Sequence, residues 1–82
     1  MDEFTVLAFS FFKESKDTNT NAWYGYQCRT GREDVMEFLT FARDELFGYC
    51  HRKGLTLSYE RLDELLSQVG YLTTSSNPTY PS

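Results

Sequence analysis

Long apolar runs are missing from this 82-residue chain. None approaches the roughly 20 apolar residues of a membrane span, so no membrane partner is expected. Cysteine is scarce: Cys28 and Cys50 stand alone, with no CxxC pair, which excludes the dense disulfide framework of small secreted domains. Two free, buried thiols are expected. Asp2 and Glu3 occupy positions where a signal peptide would be positive, and the apolar run after them has no small-residue cleavage pattern. A cytoplasmic protein is expected. Cations are also in short supply, 8 Lys and Arg against 12 Asp and Glu, for a net charge of -4. That balance opposes binding to phosphate backbones, where affinity comes from Lys and Arg displacing counterions, and it favours basic partners.

Aromatic residues are plentiful, at 17% of the chain, and with 40% hydrophobic residues they indicate a folded globule. A chain this short folds as one domain and buries only about 60 to 65% of the surface its unfolded form exposes, so a deep enzyme cleft is not expected. Residues 4–13, FTVLAFSFFK, are apolar on both alternating sets and rich in rings, which favours a strand. The polar run ESKDTNTN reads as a loop, and residues 22–29 read as a second strand. Thr30 to Glu33 fits a capping box opening a helix. Val35, Phe38, Leu39, Ala42, Leu46, Tyr49 and Cys50 then recur at helical steps, with Gly54 ending the element. Ser58 should cap a last helix with Leu62, Leu65, Leu66 and Val69 on one face, Leu57 and Leu62 as a hydrophobic staple and Gly70 as its end. The expected fold is therefore α+β: a β-hairpin followed by two helices (ββαα) in a single domain over 1–72, with a flexible tail over 73–82.

Several short patterns touch on chemistry. Asp17, Asn19 and Asn21 match the first ligand positions of a calcium loop, but Ala22 replaces its glycine and Cys28 its last carboxylate. Neighbours on a helix point about 100° apart, so Cys50 and His51 do not converge on a metal or a substrate. Glu33 with Glu37, and Glu60 with Glu64, fall on polar helix faces where solvation is the ordinary meaning. Arg29 and Arg32, flanking Gly31 at the expected helix start, form a weak anion site without a phosphate-loop spacing. No enzymatic activity, metal or cofactor is expected from these patterns.

Recognition has more to work with. A helical wheel places Phe41 away from the apolar stripe, on a side shared with Glu37, Asp44 and Glu45: an exposed ring among acids, the form of an interface anchor. In NAWYGYQC, strand alternation sends Trp23 to one face and Tyr24 with Tyr26 to the other, and two helices cannot bury both sets. A two-stranded sheet also leaves open edges, so a partner is expected there. The resulting expectation is a small acidic protein-binding module that inhibits or regulates a nucleic-acid-handling host protein, phage inhibitors being one source of this type. Its carboxylates would stand on a basic surface where phosphates would, with Trp23, Tyr24, Tyr26, Glu37, Phe41, Asp44 and Glu45 as its contacts. The alternative is an assembly subunit, a homodimer or larger homo-oligomer paired through the aromatic hairpin. Direct nucleic-acid binding by stacking on Trp23, Tyr24 and Tyr26 is disfavoured by the charge.

Overall fold

The computed structural model describes residues 2–75, and every regular element among them is a helix. The order is α1 (Glu3–Thr18), α2 (Asn21–Thr30), α3 (Val35–Phe41), α4 (Arg43–Arg52) and α5 (Tyr59–Ser75). The expected α+β fold is thus corrected: the β-hairpin is absent, and both of its strands are helices.

Asp2 starts α1 by accepting a hydrogen bond from the Thr5 N–H at 2.8 Å, with Glu3 adding negative charge to the first turn. Phe4, Ala8, Phe11 and Ser15 follow at steps of four, three and four, and all are buried. The polar run read as a loop carries the last turn of this helix, where Asp17 pairs at i,i+4 spacing with Lys13 just before the run, at 3.2 Å. Asn19 ends the helix in the left-handed region at φ 52°, a conformation asparagine tolerates better than most residues. Thr20 then caps α2, its Oγ accepting from the Trp23 N–H at 3.3 Å. The asparagines and threonines that resembled a hairpin turn are the stop of one helix and the start of the next.

Helical periodicity redistributes the rings. Trp23 and Tyr26, three positions apart, share the buried face of α2, while Tyr24 is 60% exposed. The expected pairing of Tyr24 with Tyr26 therefore fails, because it required a period of two. Phe38, fully buried on α3, is the hub of the core: its ring lies 5.2 to 5.9 Å from those of Trp23, Phe11, Tyr26 and Phe12. Burying a phenylalanine side chain stabilises a fold by about 1.5 to 3 kcal/mol, and tilted ring pairs add to that. Two helices did not have to bury the rings of NAWYGYQC, since α2 itself is part of the core.

The C-terminal half follows the expected pattern more closely. Phe38, Leu39, Ala42, Leu46, Tyr49 and Cys50 are buried, with Val35 packed at the edge. The single helix expected here is divided at Ala42, whose φ of -103° and ψ of 35° leave the helical region. The capping box at Thr30 is also corrected. Thr30 instead closes α2, donating its hydroxyl to the Tyr26 carbonyl at 3.0 Å, and Gly31 follows in the left-handed region at φ 68°. Asp34 is the cap of α3, accepting from the Glu37 N–H at 2.9 Å. Gly54, at φ 92°, ends α4 in a Schellman turn: its N–H donates to the His51 carbonyl and that of Leu55 to the Cys50 carbonyl.

Ser58 caps α5 by accepting from the Arg61 N–H at 3.1 Å, and Leu62, Leu65, Leu66 and Val69 are its buried face. Leu57 packs at the margin of the same core. The helix continues through the expected stop at Gly70 to Ser75. Residues 76–82 of the expected tail lie outside the described residues.

Candidate functional site

The expected contact residues fall into four places. Trp23 lies in the core, 6% exposed. Tyr24 projects from α2 on the face that also exposes Cys28, so one of the two thiols expected to be buried is open to solvent. Cys50 is fully buried, and that burial raises its thiol pKa. His51, beside it, is exposed.

Tyr26, Glu37 and Phe41 come together where α2 meets α3. The Tyr26 ring is buried, but its hydroxyl reaches the start of α3, donating to Glu37 Oε1 at 2.9 Å and accepting from the Asp34 N–H at 3.1 Å. Arg32 completes the cluster by gripping the Glu37 carboxylate through two nitrogens, Nε lying 2.9 Å from Oε1. The Arg32 and Tyr26 hydrogen bonds together hold Glu37 below its ordinary carboxylate pKa. Burial, then the Glu37 contact, raises the pKa of Tyr26. In a capping box the glutamate at the third helical position bonds back to the capping residue's own N–H. Here the Tyr26 hydroxyl takes that N–H and passes the contact on to Glu37.

Phe41 lies beside this cluster and is 43% exposed. Its ring is 5.9 Å from that of Tyr26, lies against Gly25, and has the Arg29 guanidinium 5.8 Å from its centroid. Tyr26, Met36, Thr40 and Phe41 are among the residues lining a shallow depression here of about 510 Å³. The acids expected around Phe41 are only partly there: Glu37 borders the depression, and the nearest cation is Arg29.

Asp44 and Glu45 open α4 and border a different groove, of about 450 Å³, with Phe11, Asn21, Ala22 and Arg52 among its other walls. Both are exposed, and neither forms an ion pair among the described residues. Their place in the first turn, which has no side-chain cap, lets them balance the positive end of α4.

The remaining patterns resolve into structure. Arg29 to Arg32 stand at the C-terminal end of α2 and not at a helix start, so the weak anion site is corrected: Arg29 lies over Phe41 and Arg32 on Glu37. Asp17, Asn19 and Asn21 are divided between a helix end, a link and a helix start. Among the described residues no three His, Cys, Asp or Glu side chains are grouped to hold a metal ion. Glu33 pairs with Lys16, and Glu64 with Arg61. No described helix is long and apolar enough to cross a membrane.

Sequence reasoning missed a groove of about 690 Å³ between α1 and the C-terminal end of α4, lined by Phe11, Glu14, Thr20, Tyr49, Arg52 and Lys53 among others. Only the joint placement of α1 and α4 creates it, and a reading of residues 4–13 as a strand could not reveal it. No protein-family profile matches this chain, and no curated protein or solved structure matches it either.

Proposed function

We propose that this is a small, non-enzymatic protein-binding module of the cytoplasm, an inhibitor or regulator that sets carboxylates against a basic surface of a nucleic-acid-handling protein. One observation carries the reading: Asp44 and Glu45 are exposed in the first turn of α4 and make no ion pair among the described residues. Most cations of the chain are engaged internally, with Lys13, Lys16, Arg32, Arg43 and Arg61 each in an ion pair. The surplus of acids thus faces outward, where it steers a basic partner, and the exposed Phe41 ring beside Glu37, on a separate surface, offers an apolar contact that charge alone does not.

The test is affinity capture from host extract, repeated at high salt and with an Asp44→Lys, Glu45→Lys variant. A protein captured by the parent, released by salt and not retained by the variant supports the reading. Equal capture by parent and variant, or no capture by either, overturns it. Homo-oligomerisation through an aromatic hairpin loses its structural basis, since that hairpin is absent and Trp23 and Tyr26 lie in the chain's own core.

A further inference from the structure

The groove bordered by Asp44 and Glu45 lies between α4 and the junction of α1 with α2. Asp44, Gly48 and Arg52 follow one another on α4 at steps of four, so they share one face at intervals of about 6 Å along the axis. Gly48 leaves a gap in that row. A glycine inside a helix costs stability relative to alanine, and packing does not require one here, because a Cβ at Gly48 would meet only Arg52 Nη1, at 3.4 Å, the end of an exposed side chain. The gap serves the groove and not the core.

A second wall points to a ligand independently. Ser15, near the end of α1, is 2% exposed, and its hydroxyl makes no hydrogen bond among the described residues. Every side-chain oxygen and nitrogen sealed from solvent there has a partner, so this hydroxyl is the part of Ser15 that stays open. It opens where the groove adjoins the one along Glu14 and Tyr49. Buried polar groups are almost always hydrogen-bonded, and one without a partner in its own chain calls for a partner from outside it.

We infer that this groove receives a basic side chain of the partner protein, a lysine or an arginine, with its charged end among Asp44, Glu45 and the Ser15 hydroxyl and its apolar stem in the gap at Gly48. The inference rests on the function proposed above and names the chemistry that this surface recognises. An ammonium or guanidinium has at least three donors and no acceptor, and two carboxylates with a hydroxyl oxygen are there to take them. Methylene stems lie along apolar surface while the charged head stays among polar groups, and Gly48 and Ala22 leave room for one. Neither carboxylate is held in an ion pair among the described residues, so no internal bond has to break. Arg52 is the competitor. It borders the groove, and an incoming cation has to share the space with it.

The experiment is a titration of the full chain followed by amide chemical shifts, with tri-lysine amide, tri-arginine amide and a tri-lysine amide acetylated on its side-chain nitrogens as probes. Saturable shifts at Ser15, Asn21, Asp44, Glu45 and Gly48 are expected with the two basic peptides, and the tighter of them identifies the side chain. The acetylated peptide should not bind. Gly48→Leu fills the gap without changing charge and should weaken binding about tenfold or more while melting no lower than the parent, since leucine is the better helix former. Gly48→Ala should fall between the two. Ser15→Ala should weaken binding about threefold, the scale of one hydrogen bond, and again melt no lower. Arg52→Gln should strengthen binding. The site is overturned by the absence of a saturable shift with either basic peptide at about 10 mM, by equal binding of the acetylated peptide, by unchanged affinity in Gly48→Leu or Ser15→Ala, or by weaker binding in Arg52→Gln. An Asp44→Asn, Glu45→Gln variant separates this failure from that of the function proposed above. Affinity lost in that variant but kept in Gly48→Leu leaves the acidic surface standing and removes the groove, whereas affinity kept in both removes the two together.

Discussion

Tyr26→Phe isolates the hydroxyl that links α2 to α3. The ring stays, and with it the contacts to Trp23, Phe38 and Phe41. Three contacts go: the hydroxyl hydrogen is shared between the Glu37 carboxylate at 2.9 Å and the Asp34 carbonyl at 3.2 Å, and the hydroxyl oxygen accepts from the Asp34 N–H at 3.1 Å. A hydrogen bond to a charged group is worth about 1.5 to 3 kcal/mol, and an orphaned buried donor costs about 1 to 3 kcal/mol. Glu37 keeps Arg32, and Asp34 is exposed enough for water to reach its N–H, so the lower ends apply. The expected loss is about 2 kcal/mol. A domain of this length is stable by about 4 to 12 kcal/mol in all. Each kcal/mol moves the melting temperature of such a domain by about 4 to 8 °C, so Tyr26→Phe should melt about 8 to 16 °C below the parent. Circular dichroism melts measure this directly, and urea titration should show a lower midpoint with an unchanged slope. A Tyr26→Phe protein that melts within about 2 °C of the parent would refute the linking role, because that is less than one kcal/mol at this chain length.

Phe38→Ala should cost about 3 to 5 kcal/mol as a cavity at the hub of the core, lowering the melting temperature by about 12 °C or more. Phe41→Ala should cost much less, about 1 to 2 kcal/mol, since its ring is 43% exposed; melting as severe as that of Phe38→Ala would place it in the core and remove it from any interface. With a thiol reagent, Cys28 should react at once and Cys50 only as the chain unfolds, so two equally fast thiols would contradict the buried position of Cys50. Stability should also fall at both ends of the pH scale. Glu37, held low by Arg32 and Tyr26, and Asp63, held low by Arg43, contribute above their unfolded pKa of about 4, and the contribution goes as pH falls through their lower folded values. Tyr26 and Tyr49, raised chiefly by burial, contribute below about pH 10 and lose that contribution as pH rises through their folded values. Urea midpoints across pH 2 to 11 check both limbs.

Legibility in the sequence followed the sharpness of the hydrophobic period. From Val35 to Cys50 and from Leu62 to Val69 a stripe of apolar residues recurs at helical steps with polar residues interspersed, and these stretches are helical with the stripe residues buried or, at Val35, packed at the core's edge. Residues 4–13 are apolar at nearly every position, so a period of two and a period of 3.6 fit equally well. Ring content then tipped the reading towards a strand, although β-propensity largely reflects packing context. The capping signals were present: Asp2 before Glu3, Asn19 as a left-handed stop, and Thr20 before Asn21. The last two lay inside a polar run that serves a hairpin loop equally well.

The candidate contacts moved for the same reason, and a second one applies to Phe41. Exchanging a period of two for one of 3.6 joins Trp23 to Tyr26 and separates Tyr24, which turned the proposed aromatic surface into core. For Phe41 the helical period was right but its continuity was not. A wheel drawn from Val35 to Arg52 assumes one axis, and Ala42 breaks that axis, with Phe41 as the last residue of α3 and Asp44 and Glu45 in the first turn of α4. Glu37, on the same side of the break, stays beside Phe41. Asp44 and Glu45 face the groove next to α1 and α2, where Arg52 is their neighbour. No glycine or proline marks Ala42 as a break, since alanine is the best helix former, so composition alone could not have shown that the expected acidic ring around Phe41 is two surfaces.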